Sequence, residues 1–217
     1  MVKPASSDRP PPRPGPPPGS RLPAGERRAS ILAAAFPRFA VHGFEGTTTR
    51  DLARAAGVTE PVLYRHFPSK EALFAAVLEE AAGRLVAALD AAVGGARGAG
   101  ARLEALAERL EPLLAAHVDE FRVLNGAAAT RPDAATAGAV REAYRRLGER
   151  LVAALDGDGL RPGVSAETAG HLLLEMGLGA SLARPLGVPG VCRVGYGREV
   201  LALLLSALTA RGRPRPR

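Results

Sequence analysis

An all-α fold is predicted by three observations on this chain of 217 residues. Apolar residues recur at helical spacing from Ala24 through the last apolar run. Aromatic residues are only 4% of the chain and Trp is absent, so Ala, Leu and Val must supply the core, which favours closely packed helices over a sheet stacked on rings. Capping residues and Gly/Pro breaks then divide the helical pattern, with two short helices joined by a tight turn after the first helix. The architecture expected is an N-terminal three-helix domain with a helix-turn-helix, followed by a larger helical domain.

Residues 1–23 hold nine of the 19 prolines and almost no apolar periodicity. They predict a disordered or polyproline-like arm, whose arginines either touch a nucleic acid or simply solubilise the chain. From Ala24, Ile31, Ala35 and Phe39 make one row and Leu32 with Phe36 another, giving an amphipathic first helix that stops at Gly43. Pro37 removes the hydrogen bond to the Ala33 carbonyl, so a kink is expected near residues 33–37. A second helix follows over Thr49–Ala56, a third over Glu60–Phe67 and a longer fourth from Lys70 to about Val93.

The run Gly94-Gly95-Ala96-Arg97-Gly98-Ala99-Gly100 breaks the chain. Leu103, Leu106, Leu110, Leu113 and Leu114 mark the next helix, bent at Pro112, and Phe121 to Ala129 a short further element. Val140, Tyr144, Leu147, Leu151 and Leu155 form a clean stripe ending at Asp156-Gly157. Two helices close the series, about Ala166–Ala183 and Gly197–Arg211. The last is apolar on almost every side, which predicts burial within its own domain and against a second copy. Gly170, Gly177 and Gly179 in the helix before it are expected to permit close backbone approach.

Charge and cysteine content narrow the function classes. The net charge is +7, with pI about 10.6, and it resides in the two ends: Lys3, Arg9, Arg13 and Arg21 against Asp8 in residues 1–23, and four arginines in residues 211–217. The body between is formally neutral, so a polyanion-binding surface there must come from local arrangement. The single Cys192 excludes an intrachain disulfide framework and fits a reducing cytoplasm. The apolar run Val200–Ala210 is too short to span a bilayer, and prolines stand where a signal peptide needs its apolar segment. A cytoplasmic chain without a membrane partner is expected. No Gly-rich phosphate loop, nucleophile elbow or metal-ligand cluster appears, so no enzymatic activity, cofactor or metal is expected.

The stretch TTTRDLARAAGVTEPVLYRHFPSKEALF from Thr47 to Phe74 carries the chemistry. Thr48 and Asp51 make a capping box, Gly57 supplies the left-handed residue that stops the second helix, and Thr59 caps the third. Pro61 is tolerated in the first turn, where amides lack intrahelical acceptors. Leu52, Ala56, Val58, Leu63 and Phe67 then share a small core with Phe36 and Phe44. The opposite side of the third helix presents Glu60, Tyr64 and Arg65. Helix starts at Thr48 and Lys70, the Lys70 ammonium, the Tyr64 phenol and the His66 imidazole suit phosphates. His66 equally suits partial burial against the fourth helix. Arg65 suits guanine or a phosphate, and Glu60 either accepts from a cytosine amino group or sits at the rim and penalises wrong registers.

These residues resemble the tetracycline-repressor (TetR) family. The resemblance runs through Gly43-Phe44-Glu45-Gly46-Thr47-Thr48-Thr49-Arg50-Asp51-Leu52-Ala53, then Ala56-Gly57-Val58-Thr59, then Leu63-Tyr64-Arg65-His66-Phe67-Pro68-Ser69-Lys70-Glu71-Ala72-Leu73, and covers roughly residues 26–80. It implies phosphate contacts at Thr48, Tyr64, His66 and Lys70 and base-facing positions at Thr59, Glu60, Pro61 and Arg65, with Arg50 in the same DNA-facing set. Pro61, Val62 and Pro37 depart from the usual family pattern, so the base-reading set is unusual. The domains implied are a DNA-binding domain over 24–80 with its motif at about 48–67, a helical effector-binding and dimerisation domain over 81–211, and a basic tail over 212–217.

By the same resemblance the chain is a ligand-responsive transcriptional regulator. It binds double-stranded DNA as a homodimer, most simply as a repressor released by an unknown small-molecule effector. The alternatives are a ligand-independent activator and a helical interaction protein that keeps the fold without DNA binding. Polar or aromatic side chains on apolar stripes are the expected pocket residues: His117, Phe121, Arg122, Tyr144, His171, Glu175 and Met176. His171 and Glu175, one turn apart, are too few ligands for a metal. Leu172, Met176, Gly179, Leu201, Leu204 and Leu208 are the expected dimer contacts.

Overall fold

The computed structural model describes residues 23–129, 133–183, 186–189 and 196–209. The arm expected over 1–23 lies outside them except for Pro23, and Cys192 and the basic tail lie outside them entirely. The described residues form α1 (Ala24–His42), α2 (Thr49–Ala55), α3 (Glu60–His66), α4 (Lys70–Val93), α5 (Ala99–Ala116), α6 (Val118–Ala129), α7 (Ala134–Leu155), α8 (Ala166–Ala183) and α9 (Tyr196–Leu208). The all-α expectation holds, and the fourth helix has the bounds its sequence predicts. An antiparallel bridge, Leu160 to Thr209, ties the end of α9 to the loop after α7.

Local chemistry sets the boundaries. Helix α1 continues through Pro37 to His42 and ends at Gly43, whose φ of 67° is in the left-handed region and whose amide donates to the Phe39 carbonyl. Asp133 caps α7 by accepting from the Ala135 and Thr136 amides. Helix α6 begins three residues before Phe121 because the chain pauses only at His117, whose carbonyl already accepts from the Phe121 amide.

Two apolar clusters fill the interior. The first joins α1–α4 to α6 and α7 through Ile31, Phe36, Phe39, Leu63, Phe67, Phe74, Leu78, Leu85, Leu124 and Leu147. The second joins the end of α4 to α5, α7, α8 and α9 through Val93, Leu103, Leu155, Ala169 and Leu201. Helix α4 runs unbroken past residue 80, and Ala81, Ala82 and Leu85 lie in the same cluster as Phe36. The helix-turn-helix therefore shares its core with α6 and α7.

Gly170 and Gly177, both on α8, play opposite parts. A Cβ built on Gly170 would lie 2.7 Å from the Val152 amide nitrogen and 2.9 Å from its Cα, so this glycine lets α7 and α8 touch backbone to backbone. At Gly177 and Gly179 a Cβ meets nothing within 4 Å, so these two are not close-approach positions, contrary to expectation. Gly170→Ala is expected to be less stable than Gly177→Ala by about 1–3 kcal/mol, because both gain helix propensity and only the first is overpacked. Thermal melts of the two variants test this, and coincident melts would contradict it.

Candidate nucleic-acid interface

Thr48 opens α2 with extended backbone, and its oxygen accepts from the Asp51 amide at 3.1 Å. The Thr48 hydroxyl in turn donates to an Asp51 carboxylate oxygen at 2.6 Å. That bond, then the Thr48 amide, Arg54 and Arg38, outweigh partial desolvation and hold the Asp51 carboxyl below its ordinary value. The cap is thus present above the ordinary carboxylate range and lost only as pH falls through the lowered value. Gly57, with φ 64°, turns the chain from α2 into α3.

Thr59 stands at the N-cap of α3, but its hydroxyl makes no capping bond. Pro61 has no N–H to offer, and the Val62 and Leu63 amides both donate to the Thr59 carbonyl, each at 3.0 Å. The Thr59 hydroxyl is therefore not consumed in holding the helix start. Glu60 accepts from the Thr49 hydroxyl at 2.9 Å and lies 3.8 Å from the Arg50 guanidinium. Its carboxylate links α3 to the first turn of α2 and stays 39% exposed. Thr49, the partner, was not singled out from sequence.

Pro61, Tyr64 and Arg65 are exposed on α3, Tyr64 at 42%. Leu63 and Phe67, on the inner side, are at 0% and 2%. Thr59, Val62, Arg65 and His66 border a groove with Gly57, Val58 and the start of α1 at Ala24 and Arg27. His66 is half-buried there, at the groove wall. Arg50 is 80% exposed at its side chain, and Thr48 is exposed. These side chains share one end of the molecule.

Lys70 has partners within the chain. Its ammonium donates to the Phe44 carbonyl at 3.0 Å and the Thr47 carbonyl at 3.4 Å, and sits 3.9 Å from the Phe44 ring centroid. It clips the α1–α2 loop to the start of α4, with Thr47 buried beneath and donating to the Gly43 carbonyl at 2.7 Å. Ser69 caps α4 by accepting from the Ala72 amide at 3.1 Å.

Away from this end lies a cavity of about 80 Å³, enclosed by leucines of α4 to α9 with Phe121, Met176 and Gly177. Of the seven expected pocket residues, only Phe121 and Met176 line it. Arg122 is exposed and pairs with Asp119 at 3.1 Å; His171 and Glu175 are exposed on α8, with the His171 ring close to Gly148. Tyr144 is used internally: its hydroxyl donates to the Asn125 side-chain oxygen Oδ1 at 3.2 Å, and Asn125 Nδ2 donates to the Ser181 hydroxyl at 2.8 Å. Burial pushes its phenol above the ordinary value. His117 Nδ1 is buried without a hydrogen bond, 3.7 Å from Glu120. Among the described residues no group of three or more potential metal ligands occurs.

A polar link that sequence reasoning missed joins the two ends. Glu120 of α6, 7% exposed, pairs with Arg84 of α4 at 3.3 Å, and the Arg84 guanidinium lies 4.4 Å from the Phe36 ring of α1. The expected dimer contacts divide as well. Leu201 and Leu208 are 3% and 7% exposed in the chain's own second cluster, so they are not the surface offered to a partner; intrachain packing has taken that side of α9. Met176 lines the cavity, Leu172 and Leu204 are half-buried and Gly179 is exposed. On and beside α8 and α9, Leu203 at 70%, Leu182 at 51%, Leu186 at 77% and Val188 at 37% are uncovered, and Val41 of α1 is 65% exposed.

Comparison with known proteins adds the following. Residues 31–77 match the family model for bacterial regulatory proteins of the tetR family. The transcriptional activator FasR of Mycolicibacterium smegmatis is 41% identical over 75 residues, which are 35% of this chain and 34% of that protein. The transcriptional repressor AcnR of Corynebacterium diphtheriae is 42% identical over 59 residues, 27% of this chain and 31% of that protein. The chain thus matches about a third of the length of these curated relatives. The solved SmeT–triclosan complex is 21% identical and superposes with a TM-score of 0.67 over 88% of this chain and 100% of that one. Among the described residues no helix is long and apolar enough to cross a membrane.

Proposed function

For a chain that belongs to the tetR family of bacterial regulatory proteins, we propose a DNA-binding transcriptional repressor that acts as a homodimer and is released by a small molecule. The observation that carries this reading is the exposed face of α3, with Pro61, Tyr64 and Arg65 outward on a helix whose other side is anchored by Leu63 and Phe67. Such a helix, held rigidly and offered to solvent, suits the major groove. Tyr64 and His66, with Thr48 and Arg50 beside them, serve the phosphates; Arg65 and Thr59 face the bases. Lys70 contributes chiefly by holding the loop beneath them.

Release by a small molecule is supported by the apolar cavity, by the SmeT relative solved with triclosan, and by the Arg84–Glu120 pair that joins α6 to α4 and, over Phe36, to α1. The dimer is supported by Leu182, Leu186 and Leu203, exposed on or beside α8 and α9. An activator is the second reading, favoured by the printed name of the FasR relative.

Gel shift with DNA flanking the protein's own gene, repeated over a salt series, tests the proposal. A specific complex is expected; Tyr64→Ala should weaken binding to every sequence with little change in salt slope, and Arg50→Ala should weaken it and lower the slope by about 0.9, because only the second removes a charge. No specific complex from the intact chain, or an unchanged slope in the Arg50→Ala variant, would contradict the assignment.

A further inference from the structure

The 80 Å³ cavity has a neighbour. A second, outer chamber of about 230 Å³ lies between α5, α8 and the start of α9, and the two share Leu110, Leu114 and Met176 as walls. The outer chamber exists because Met176, Gly179, Ala180 and Ala183 recur at i, i+3, i+4 and i+7 on α8, so that small side chains face the leucines of α5. The partition is made of side chains with rotatable bonds, and Met in particular changes rotamer at little cost. No charged side chain lines either chamber among the described residues, and Tyr196 is the only polar side chain at the outer one.

From this geometry we infer that the two chambers form one channel for a linear aliphatic chain, with its head group at the outer mouth beside Tyr196 and its tail passing Met176 into the leucine-lined inner chamber. The inference rests on the reading of this domain as the effector-binding one and supplies the ligand class. A cation is disfavoured in the inner chamber because, among the described residues, no carboxylate and only one aromatic ring, Phe121, lines it; Glu111 stands at the outer end, beside Gly197. A flexible chain can follow the shared walls Leu110, Leu114 and Met176 from one chamber to the other by rotation about its own bonds, which a rigid polycycle cannot do.

Titration calorimetry of the intact protein with 1-hexanol, 1-octanol and 1-decanol tests this, with choline and 1-adamantanol as controls. Affinity should rise about fourfold per methylene, the full transfer increment, and the controls should not bind. Gly177→Leu fills the inner chamber and Gly179→Leu narrows the outer one, and the open space at both positions lets each variant fold, which a thermal melt confirms. Gly177→Leu should weaken 1-decanol at least tenfold while leaving 1-hexanol near its starting affinity; Gly179→Leu should weaken all three alcohols. Equal affinity along the series, binding of either control as tight as 1-decanol, or a Gly177→Leu protein that binds 1-decanol normally would overturn the channel. Release of DNA is read separately by gel shift. Alkanol binding that leaves the DNA complex intact keeps the ligand class and defeats the effector reading, whereas absent alkanol binding with intact DNA binding defeats the ligand class alone.

Discussion

Phe39→Ala is expected to lower the melting temperature by roughly 10 °C and to abolish DNA binding as a consequence. Phe39 is 2% exposed, with its ring centroid 4.8 Å from that of Phe74 and 6.4 Å from that of Phe44. Phe44 and Phe74 are 5.1 Å apart, and Lys70 sits on Phe44. This aromatic group locks α1, the loop beneath the helix-turn-helix and α4 into one body. Truncating a buried Phe to Ala costs about 3–5 kcal/mol, and at about 2–4 °C per kcal/mol for a chain of this size the shift is easily read. Far-UV circular dichroism on heating measures it. Phe39→Leu should lose much less, and a melt unchanged in the Ala variant would show that the ring cluster is not what holds α1 to α4.

Arg65→Ala should do the opposite, leaving the melt alone and changing recognition. Its guanidinium is exposed at the groove edge, and a bidentate arginine–guanine contact is worth about 1–3 kcal/mol of discrimination against the wrong base. The expected result is a 5- to 150-fold loss at the preferred site with little change at unrelated DNA, so that sequence selection becomes flatter. Selection from a randomised oligonucleotide pool, run in parallel with the parent protein, reads this directly. If the variant prefers the same bases with the same affinity, Arg65 does not read sequence, and Thr59 with Pro61 becomes the remaining base-facing set on α3.

Much of the fold was legible because its signals are local. Gly43, Thr48 and Ser69 act at the chain positions where a helix must start or stop, and the structure uses each one as the sequence suggests. The intrachain partners of the proposed DNA-facing residues were not legible, because they are distant in sequence: Glu60 accepts from Thr49 eleven residues away, and Lys70 donates to the Phe44 carbonyl twenty-six residues away. No periodicity reports such bonds. The cavity was legible only at Phe121 and Met176, for another reason. A polar residue on an apolar stripe does not mark a pocket here: Tyr144 is satisfied inside the packing, and His171 and Glu175 face outward. The actual walls are leucines, which in a sequence are indistinguishable from core; only the small residues Gly177, Gly179, Ala180 and Ala183 carried a trace of missing volume.

The same ambiguity affects α9. An apolar surface on every side predicts burial but does not say against what, and here Leu201 and Leu208 pack inward while Leu203 is left in solvent. Packing within the chain takes one side of the helix, and the proposed partner has the other.

DNase I footprinting on a site selected by the full chain from genomic DNA separates a dimeric DNA-binding regulator from a helical protein without DNA affinity. A protected pseudo-palindrome is expected, with half-sites about 34–36 Å apart or a multiple of that spacing, and with protection lost in the Tyr64→Ala, Arg65→Ala double variant while the fold persists. No protected sequence, or protection that survives the double variant, would contradict it.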